Sequence, residues 1–273
     1  MSGARNSFQL FSLGSTVKGS PTLVKPVTFQ ALNAREVQEI ERWLKQQPAV
    51  MGEPLKIVAS QLAGFEGTLD RLDLLALDRN GKLVVIEIKR DDSSKSQDLQ
   101  ALRYAAYCSA LTAEQVVGLY LSYERNEHRR ELTSAEARKE LEDFIRTESL
   151  DALDEDDQPR MILVATGFQV GVTNTTLWLL RNSELDITCV QVQPYEINGE
   201  IVLATTVLIP LPEAEENQSR LKEKQRKARS RRDGDTIDFE VARAFIVSIP
   251  KGGWSSYGDV AAAAGARQPE NPR

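Results

Sequence analysis

The chain has 273 residues, of which 41% are hydrophobic, and a formal net charge of −6, which predicts one large globular domain with a smaller appendage. Its only histidine is His128, and its two cysteines, Cys108 and Cys189, are not spaced as a metal-binding pair; these counts argue against histidine-rich zinc sites, HNH-type nucleases and Ser-His-Asp hydrolases, and leave carboxylate and lysine chemistry. No apolar run reaches the roughly 18 residues of a membrane span and the N-terminus lacks a secretory signal, so we expect a cytoplasmic protein with buried thiols and no membrane contact.

Alternating apolar patterns predict a mixed α/β domain over residues 31–212, preceded by an N-terminal arm over residues 1–30. The predicted elements, in chain order, are a short strand in the arm (Phe8–Leu13), a helix (Ala34–Gln47), a strand (Leu55–Gln61), two hairpin strands (Leu72–Asp78 and Lys82–Lys89), a helix (Lys95–Ala110), helices that begin at Thr112 and Thr133, a strand (Met161–Ala165), a short helix (Thr173–Arg181) and a second hairpin (Asp186–Ile197 and Glu200–Ile209). Glu136 completes a capping box with Thr133. The charged stretch Glu124–Asp157 is expected at the surface.

The two strands of the first hairpin flank Arg79-Asn80-Gly81, a strong turn signal. If the loop has three residues, with Gly81 in the left-handed conformation, Asp73 lies directly opposite Glu87. Lys89 then shares their face, because alternate residues of a strand point the same way. A two-residue turn would shift the register by one and send Asp73 to the other face. We predict the three-residue loop, in strands that are apolar on both faces and therefore central in a helix-covered sheet.

Two carboxylates at this point predict a metal site. At about 4 Å apart they repel by roughly 4 kcal/mol at an effective dielectric near 20, and a divalent cation would remove that cost. Oxygen ligands suit Mg²⁺ or Mn²⁺, so the expected ligands are Asp73, Glu87 and the backbone carbonyl of Ile88, with waters in the remaining positions. Lys89 would orient or deprotonate a water. The alternative is a Glu/Lys pair that merely ends a strand at the surface.

The motifs around this site resemble the PD-(D/E)XK nuclease superfamily, and several resemble its NucS (EndoMS) branch. The matching segments are the Asp73…Glu87-Ile88-Lys89 signature, Arg71-Leu72-Asp73-Leu74-Leu75, Val84-Val85-Ile86-Glu87-Ile88-Lys89 and Gln100-Ala101-Leu102-Arg103-Tyr104. The Glu-X-Lys tripeptide alone is common, but the ordered set, with a hairpin between its halves, is more specific.

This resemblance implies a restriction-endonuclease-like mixed β-sheet flanked by helices and metal-dependent hydrolysis of DNA phosphodiesters, with Gln100 near the scissile phosphate. Such nucleases often add a glutamate from the first helix; Glu36 and Glu41 are the candidates, and we prefer Glu36. The chain departs from NucS because only about 30 residues precede the first helix. Mismatch specificity therefore does not follow. Cutting both strands with one centre per chain needs two copies, which leaves a homodimer open.

A basic segment follows the predicted nuclease domain. The linker over residues 213–236 contains Arg220–Arg232, which holds eight Lys or Arg and one Glu, a net charge of +7, so that the rest of the chain carries −13. A concentrated positive charge can neutralise phosphates, and the predicted DNA contacts are Arg226, Lys227, Arg229, Arg231 and Arg232. The alternative is a solvated linker without a ligand.

The tail over residues 237–273 carries a second resemblance. A predicted helix, Phe239–Ser248, precedes Ile249-Pro250-Lys251-Gly252 and Ser256-Tyr257-Gly258-Asp259-Val260-Ala261. These resemble the segment that opens the winged-helix-type DNA-binding domain of O6-alkylguanine-DNA alkyltransferases and alkyltransferase-like proteins, and they imply a partial winged helix in which Tyr257 contacts DNA. The chain has no cysteine after Cys189, so alkyl transfer is excluded for the sequence given.

Three hypotheses follow. The first is a Mg²⁺- or Mn²⁺-dependent endodeoxyribonuclease, acting in DNA repair or in defence against foreign DNA, with Asp73, Glu87, Lys89 and Gln100 at its site. The second is a non-catalytic DNA-binding protein that recognises damaged or branched DNA. The third is an interaction module that binds no nucleic acid. The intact Asp, Glu and Lys set favours the first.

Overall fold

The computed structural model describes residues 9–64, 71–89, 100–146, 149–154, 158–210, 239–250, 253, 255–256 and 258–260. The chain divides into two compact units, Met1–Pro212 and Glu213–Arg273. The predicted nuclease domain also ends at residue 212, and the functions assigned to the separate regions stay predictions. Among the helices described, none is long and apolar enough to cross a membrane.

The first unit is a mixed α/β fold built on a six-stranded sheet. Its strands lie side by side in chain order: β3 (Lys56–Leu62), β4 (Leu72–Leu77), β5 (Leu83–Ile88), β6 (Arg160–Ala165), β7 (Ile187–Ile197) and β8 (Glu200–Ile209). The pairs β5–β6 and β6–β7 are parallel, and the other neighbours are antiparallel. Two short strands, β1 (Leu10–Ser12) and β2 (Thr22–Val24), form a separate antiparallel pair.

Helices flank this sheet. They are α1 (Glu36–Gln46), α2 (Gln100–Cys108), α3 (Ala113–Tyr123), α4 (Ser134–Phe144) and α5 (Val170–Asn182), with short 3-10 turns at Pro48–Met51 and Leu150–Asp154. Helix α2 packs against β5 and β6, and α3 packs against β3. Thr112 and Thr133 each cap a helix through a complete capping box, which explains why α3 and α4 begin where they do.

The hairpin strands β4 and β5 lie inside the sheet, as their apolar composition predicts. Every residue of β5 is buried, and in β4 all but Asp73 are buried. Strands covered on both faces lose water from both faces, so any ionisable side chain at their ends is also taken out of water. This is how the fold creates a low-dielectric environment for Asp73, Glu87 and Lys89.

One sequence expectation needs correction, and the structure contains a helical turn that the sequence did not predict. The charged stretch from Glu124 to Asp157 is not simply surface: Glu124 is 4% exposed and accepts a hydrogen bond from Arg130 at 2.7 Å, and Leu141 in α4 is fully buried. The chain continues from α3 into a π-helical turn, Glu124–His128. Because this segment is highly charged, its sequence pattern did not predict the turn. The predicted helix Lys95–Ala110 is described only as Gln100–Cys108, since residues 90–99 lie outside the described part of the chain.

The N-terminal arm is joined to the sheet. The backbone N–H of Val27 donates to the carbonyl of Pro194 at 3.0 Å, and Pro26 forms an isolated bridge with Tyr195. The ring centroid of Phe29 lies 5.5 Å from that of Trp43 in α1. Through these contacts, the last residues of the arm pack against β7 and α1.

In the second unit, helix α6 (Phe239–Ser248) has the predicted bounds. A second turn begins at Ser256, whose hydroxyl accepts from the N–H of Asp259 at 3.2 Å while Asp259 Oδ2 accepts from the N–H of Ser256 at 3.0 Å. This reciprocal pair is a serine cap.

Candidate active site

The register of the β4–β5 hairpin places the two acidic residues opposite each other. Leu74 pairs with Ile86, and the same register runs to the turn. The turn spans residues 79–81, with the N–H of Asp78 donating to the carbonyl of Lys82 at 3.0 Å and Gly81 at a φ of 80°. The predicted three-residue loop is therefore confirmed. One residue beyond Leu74 and Ile86, the same register sets Asp73 opposite Glu87 on one face of the sheet.

The side chain of Asp78 explains the choice of loop. Its Oδ1 atom accepts hydrogen bonds from the backbone N–H of Asn80 at 2.8 Å and of Lys82 at 3.0 Å, which closes the turn from inside. An aspartate that bonds its own downstream backbone is a common turn-forming device. Its Oδ2 atom accepts from Arg160 at 2.9 Å, which ties the turn to the start of β6.

Asp73 is held against the backbone of β5. Its Oδ2 atom accepts a hydrogen bond from the N–H of Ile88 at 2.8 Å. Glu87 is 4% exposed and Lys89 is 6% exposed, with 3.7 Å between Glu87 Oε1 and Lys89 Nζ. The N–H of Lys89 donates to the carbonyl of Val164 at 2.7 Å, so β6 fixes the backbone that carries the lysine. The structure thus brings the three predicted residues together on β4 and β5.

Burial changes the acidity of this site. Desolvation, with a smaller contribution from the charge of Glu41, raises the pKa of Asp73 to about 6, against the opposing effects of the hydrogen bonds from Ile88 and Gln61 and of the charge of Lys89. Near neutral pH a buried carboxylate of this kind is costly, and a bound cation would favour its ionised form.

A glutamine connects Asp73 to helix α1. Gln61 Nε2 donates to Glu41 Oε2 at 2.7 Å and makes a longer contact of 3.5 Å to Asp73 Oδ1. Gln61 itself has a φ of 48°, uncommon for a residue other than glycine. Lys45 lies 3.4 Å from Glu41 Oε1, so this carboxylate is already partly neutralised.

Of the two first-helix candidates, the structure links Glu41 to Asp73 and not Glu36, the residue that we preferred. Glu41 shares the donor Gln61 with Asp73, whereas Glu36 Oε1 accepts from Thr166 Oγ1 at 2.7 Å, at the end of β6. Sequence reasoning also missed Gln61. The position of Gln61 at the end of the strand before the hairpin could have indicated a place near the site. The bulge in β3 shifts the strand register, however, so the face on which Gln61 lies does not follow from the sequence.

Gln100 begins helix α2, which packs against the strand that carries Glu87. Its Nε2 atom donates to the buried Tyr104 hydroxyl at 3.0 Å, so its described hydrogen bond is to the helix and not to a carboxylate of the site. The other predicted DNA contacts lie outside the described residues: Arg226, Lys227, Arg229, Arg231, Arg232 and Tyr257.

The donor set fits a hard divalent cation. Within the described ranges, no three His, Cys, Asp or Glu side chains are grouped to hold a metal ion. A metal here would therefore depend on two carboxylates, Asp73 and Glu87, and on a backbone oxygen. The N–H of Ile88 faces Asp73, and in an antiparallel strand the carbonyl of the same residue lies on the same edge. These three oxygen donors are the type that Mg²⁺ and Mn²⁺ prefer.

No protein-family model, no curated protein and no solved structure matches this chain. The family assignment therefore stays a resemblance carried by the motifs, and the chemistry has to be argued from the site.

Proposed function

We propose that the chain is a Mg²⁺- or Mn²⁺-dependent endonuclease that hydrolyses DNA phosphodiester bonds through a restriction-endonuclease-like domain over residues 31–212. The observation that carries this proposal is the convergence of Asp73, Glu87 and Lys89 on one sheet face, with the register fixed by the three-residue turn. The order of one helix, three antiparallel strands, three helices and a parallel strand is compatible with a PD-(D/E)XK core that has additional helices before its parallel strand.

Each residue has a role that its surroundings support. Asp73 and Glu87, with the carbonyl of Ile88, would hold the cation, which when bound stabilises negative charge on the phosphate. Lys89 lies two residues from Glu87 and is buried, so solvent screens its charge only weakly. It would orient the attacking water and stabilise the negative charge that develops on it as it loses its proton. Gln100, at the start of α2, would contact the phosphate.

The carboxylate roles are tested by isosteric neutralisation. Glu87→Gln should reduce Mn²⁺-dependent cleavage of DNA at least 100-fold while DNA binding persists, because the change removes a metal ligand and leaves the fold's packing intact. Glu196→Gln is the matched control, since Glu196 is exposed on β7. Cleavage by Glu87→Gln at the wild-type rate would exclude this site.

We also propose that the second unit contacts DNA. The serine cap at Ser256 and the helix Phe239–Ser248 are in keeping with the start of a winged-helix-type segment. The basic residues Arg220–Arg232 would add affinity through phosphate neutralisation.

A further inference from the structure

A polar cavity of about 190 Å³ lies in the first unit. Residues from β7 and β8 and from the end of β6 line it, among them Thr166, Gln191, Gln193, Tyr195 and Thr206. The volume corresponds to roughly six water molecules at about 30 Å³ each, which is the size class of one heteroaromatic ring system.

The sheet register puts this cavity on the same face as the carboxylates. Glu87 pairs with Leu163, and Leu163 pairs with Cys189, so these three residues point the same way. Gln191 and Gln193 follow Cys189 at intervals of two along β7 and therefore share that face. Strands β5 and β7 are two strand spacings apart, about 10 Å. A DNA strand whose phosphate lies at Glu87 would have its neighbouring nucleotides within reach of the cavity.

The two glutamines are held in place by backbone acceptors. Gln191 Nε2 donates to the carbonyl of Thr166 at 2.7 Å. Gln193 Nε2 donates to the carbonyls of Val27 at 3.3 Å and Pro194 at 3.4 Å. No described residue donates to the Oε1 atom of either glutamine. The cavity thus offers two pre-positioned amide oxygens as acceptors, and the Thr206 hydroxyl beside them.

The cavity suits a neutral ligand. The lining residues named above carry no charge. The hydroxyl of one lining residue, Thr166, donates to the carboxylate of Glu36, which would repel an anion. A phosphate group is therefore a poor occupant, whereas a base edge with an amino group can donate to the glutamine oxygens. A glutamine oxygen accepts from the amino group of adenine at protein–DNA interfaces, as one half of a bidentate pair.

We propose that this cavity receives the major-groove edge of a base adjacent to the cleaved bond, and that Gln191 and Gln193 select an edge with an exocyclic amino group over that of thymine, which has no hydrogen-bond donor there. The inference rests on the proposed nuclease activity. It makes these glutamines specificity-determining residues, distinct from the residues that act on the phosphate.

The test is cleavage of random-sequence DNA, single-stranded and duplex, by the full chain in Mn²⁺, with sequencing of the ends so that every base is aligned to its cut. The wild type should disfavour thymine at one fixed position by about fivefold or more, the discrimination that one good side-chain pair to a base supplies. Gln191→Leu should bring the four bases at that position to within about twofold of one another.

A matched threonine pair keeps the test decisive if Gln191→Leu does not fold. Thr206 pairs with Gln191 and lines the cavity, whereas its neighbour Thr205 is exposed on the opposite face. Thr206→Val should weaken the base preference, and Thr205→Val should retain it. An unchanged profile in both Gln191→Leu and Thr206→Val would overturn the inference. So would cleavage without any base preference, which leaves the nuclease proposal intact. Absence of Glu87-dependent cleavage would instead reject the nuclease proposal, and the inference with it.

Discussion

Asp73 Oδ2 accepts a hydrogen bond at 2.8 Å from the backbone N–H of Ile88, the residue between Glu87 and Lys89. This bond joins the two hairpin strands at the point where their backbone ladder ends, and it fixes the aspartate at the centre of the Glu-Ile-Lys tripeptide. The carboxylate is thereby pre-positioned before any cation binds, which reduces the reorganisation that metal binding would require.

Neutralising Asp73 should make the metal-free protein more stable at neutral pH. Burial raises the pKa of Asp73 from 3.8 to about 6, so the folded state binds the proton more tightly than the unfolded state does. The contribution of this proton to the free energy of unfolding is then fully present below about pH 4 and is lost as the pH rises through 6. Asp73→Asn removes this loss and should gain up to about 3 kcal/mol at pH 7 relative to the wild type, from 1.36 kcal/mol per pKa unit.

This is measured by urea unfolding in EDTA at pH 4 and pH 7. The two proteins should differ less at pH 4 than at pH 7. Equal pH dependence of the free energy of unfolding in both would show that Asp73 is not the group that titrates.

Removing the charge of Lys89 should slow the reaction more than it weakens binding. Lys89→Met keeps the length and packing of the side chain but leaves nothing to orient the water, so kcat should fall about 100-fold with little change in KM. Single-turnover cleavage in saturating Mn²⁺ measures the step directly. A rise in KM with kcat unchanged would instead make Lys89 a DNA contact.

Glu41 and Glu36 provide a matched pair on one helix. Glu41→Gln should raise the Mn²⁺ concentration for half-maximal cleavage about 10-fold, since partners of metal ligands commonly contribute that much, and it should lower the pKa of Asp73, which the charge of Glu41 now raises. Glu36→Gln, which alters a bond to Thr166, should change the Mn²⁺ requirement less than twofold. The reverse order of effects would restore Glu36 as the first-helix glutamate.

The basic segment should set the salt dependence of DNA binding. Replacing Arg226, Lys227, Arg229, Arg231 and Arg232 with Gln should reduce the slope of log K against log salt concentration by up to about 4.5, at roughly 0.9 per lost phosphate contact on duplex DNA. Fluorescence anisotropy with Ca²⁺ in place of Mn²⁺ measures this. A slope identical to that of the wild type would identify the segment as a solvated linker.

Much of the architecture follows from local sequence. The capping boxes at Thr112 and Thr133 begin helices. Two strands that are apolar on both faces, joined by Arg79-Asn80-Gly81, specify a central hairpin. These features are predictable because each depends on residues within a few positions of one another, where propensity and turn geometry act directly.

The position of Asp73 opposite Glu87 is also predictable from local sequence, although the two residues are fourteen positions apart. Once the turn has three residues, strand pairing propagates the register without help from the rest of the fold. The sequence by itself therefore determined that Asp73 and Glu87 share one face of the sheet.

Only the tertiary structure decided which distant groups meet that face. The path of α1 over the sheet brings Glu41 and not Glu36 to Gln61, and the parallel register of β5, β6 and β7 carries Gln191 and Gln193 onto the side occupied by Glu87. The burial of Glu124 likewise depends on Arg130 folding back on it. In each case the deciding contact comes from how helices and strands pack together, and packing is set by the whole core, because local propensity does not fix the position of one element on another.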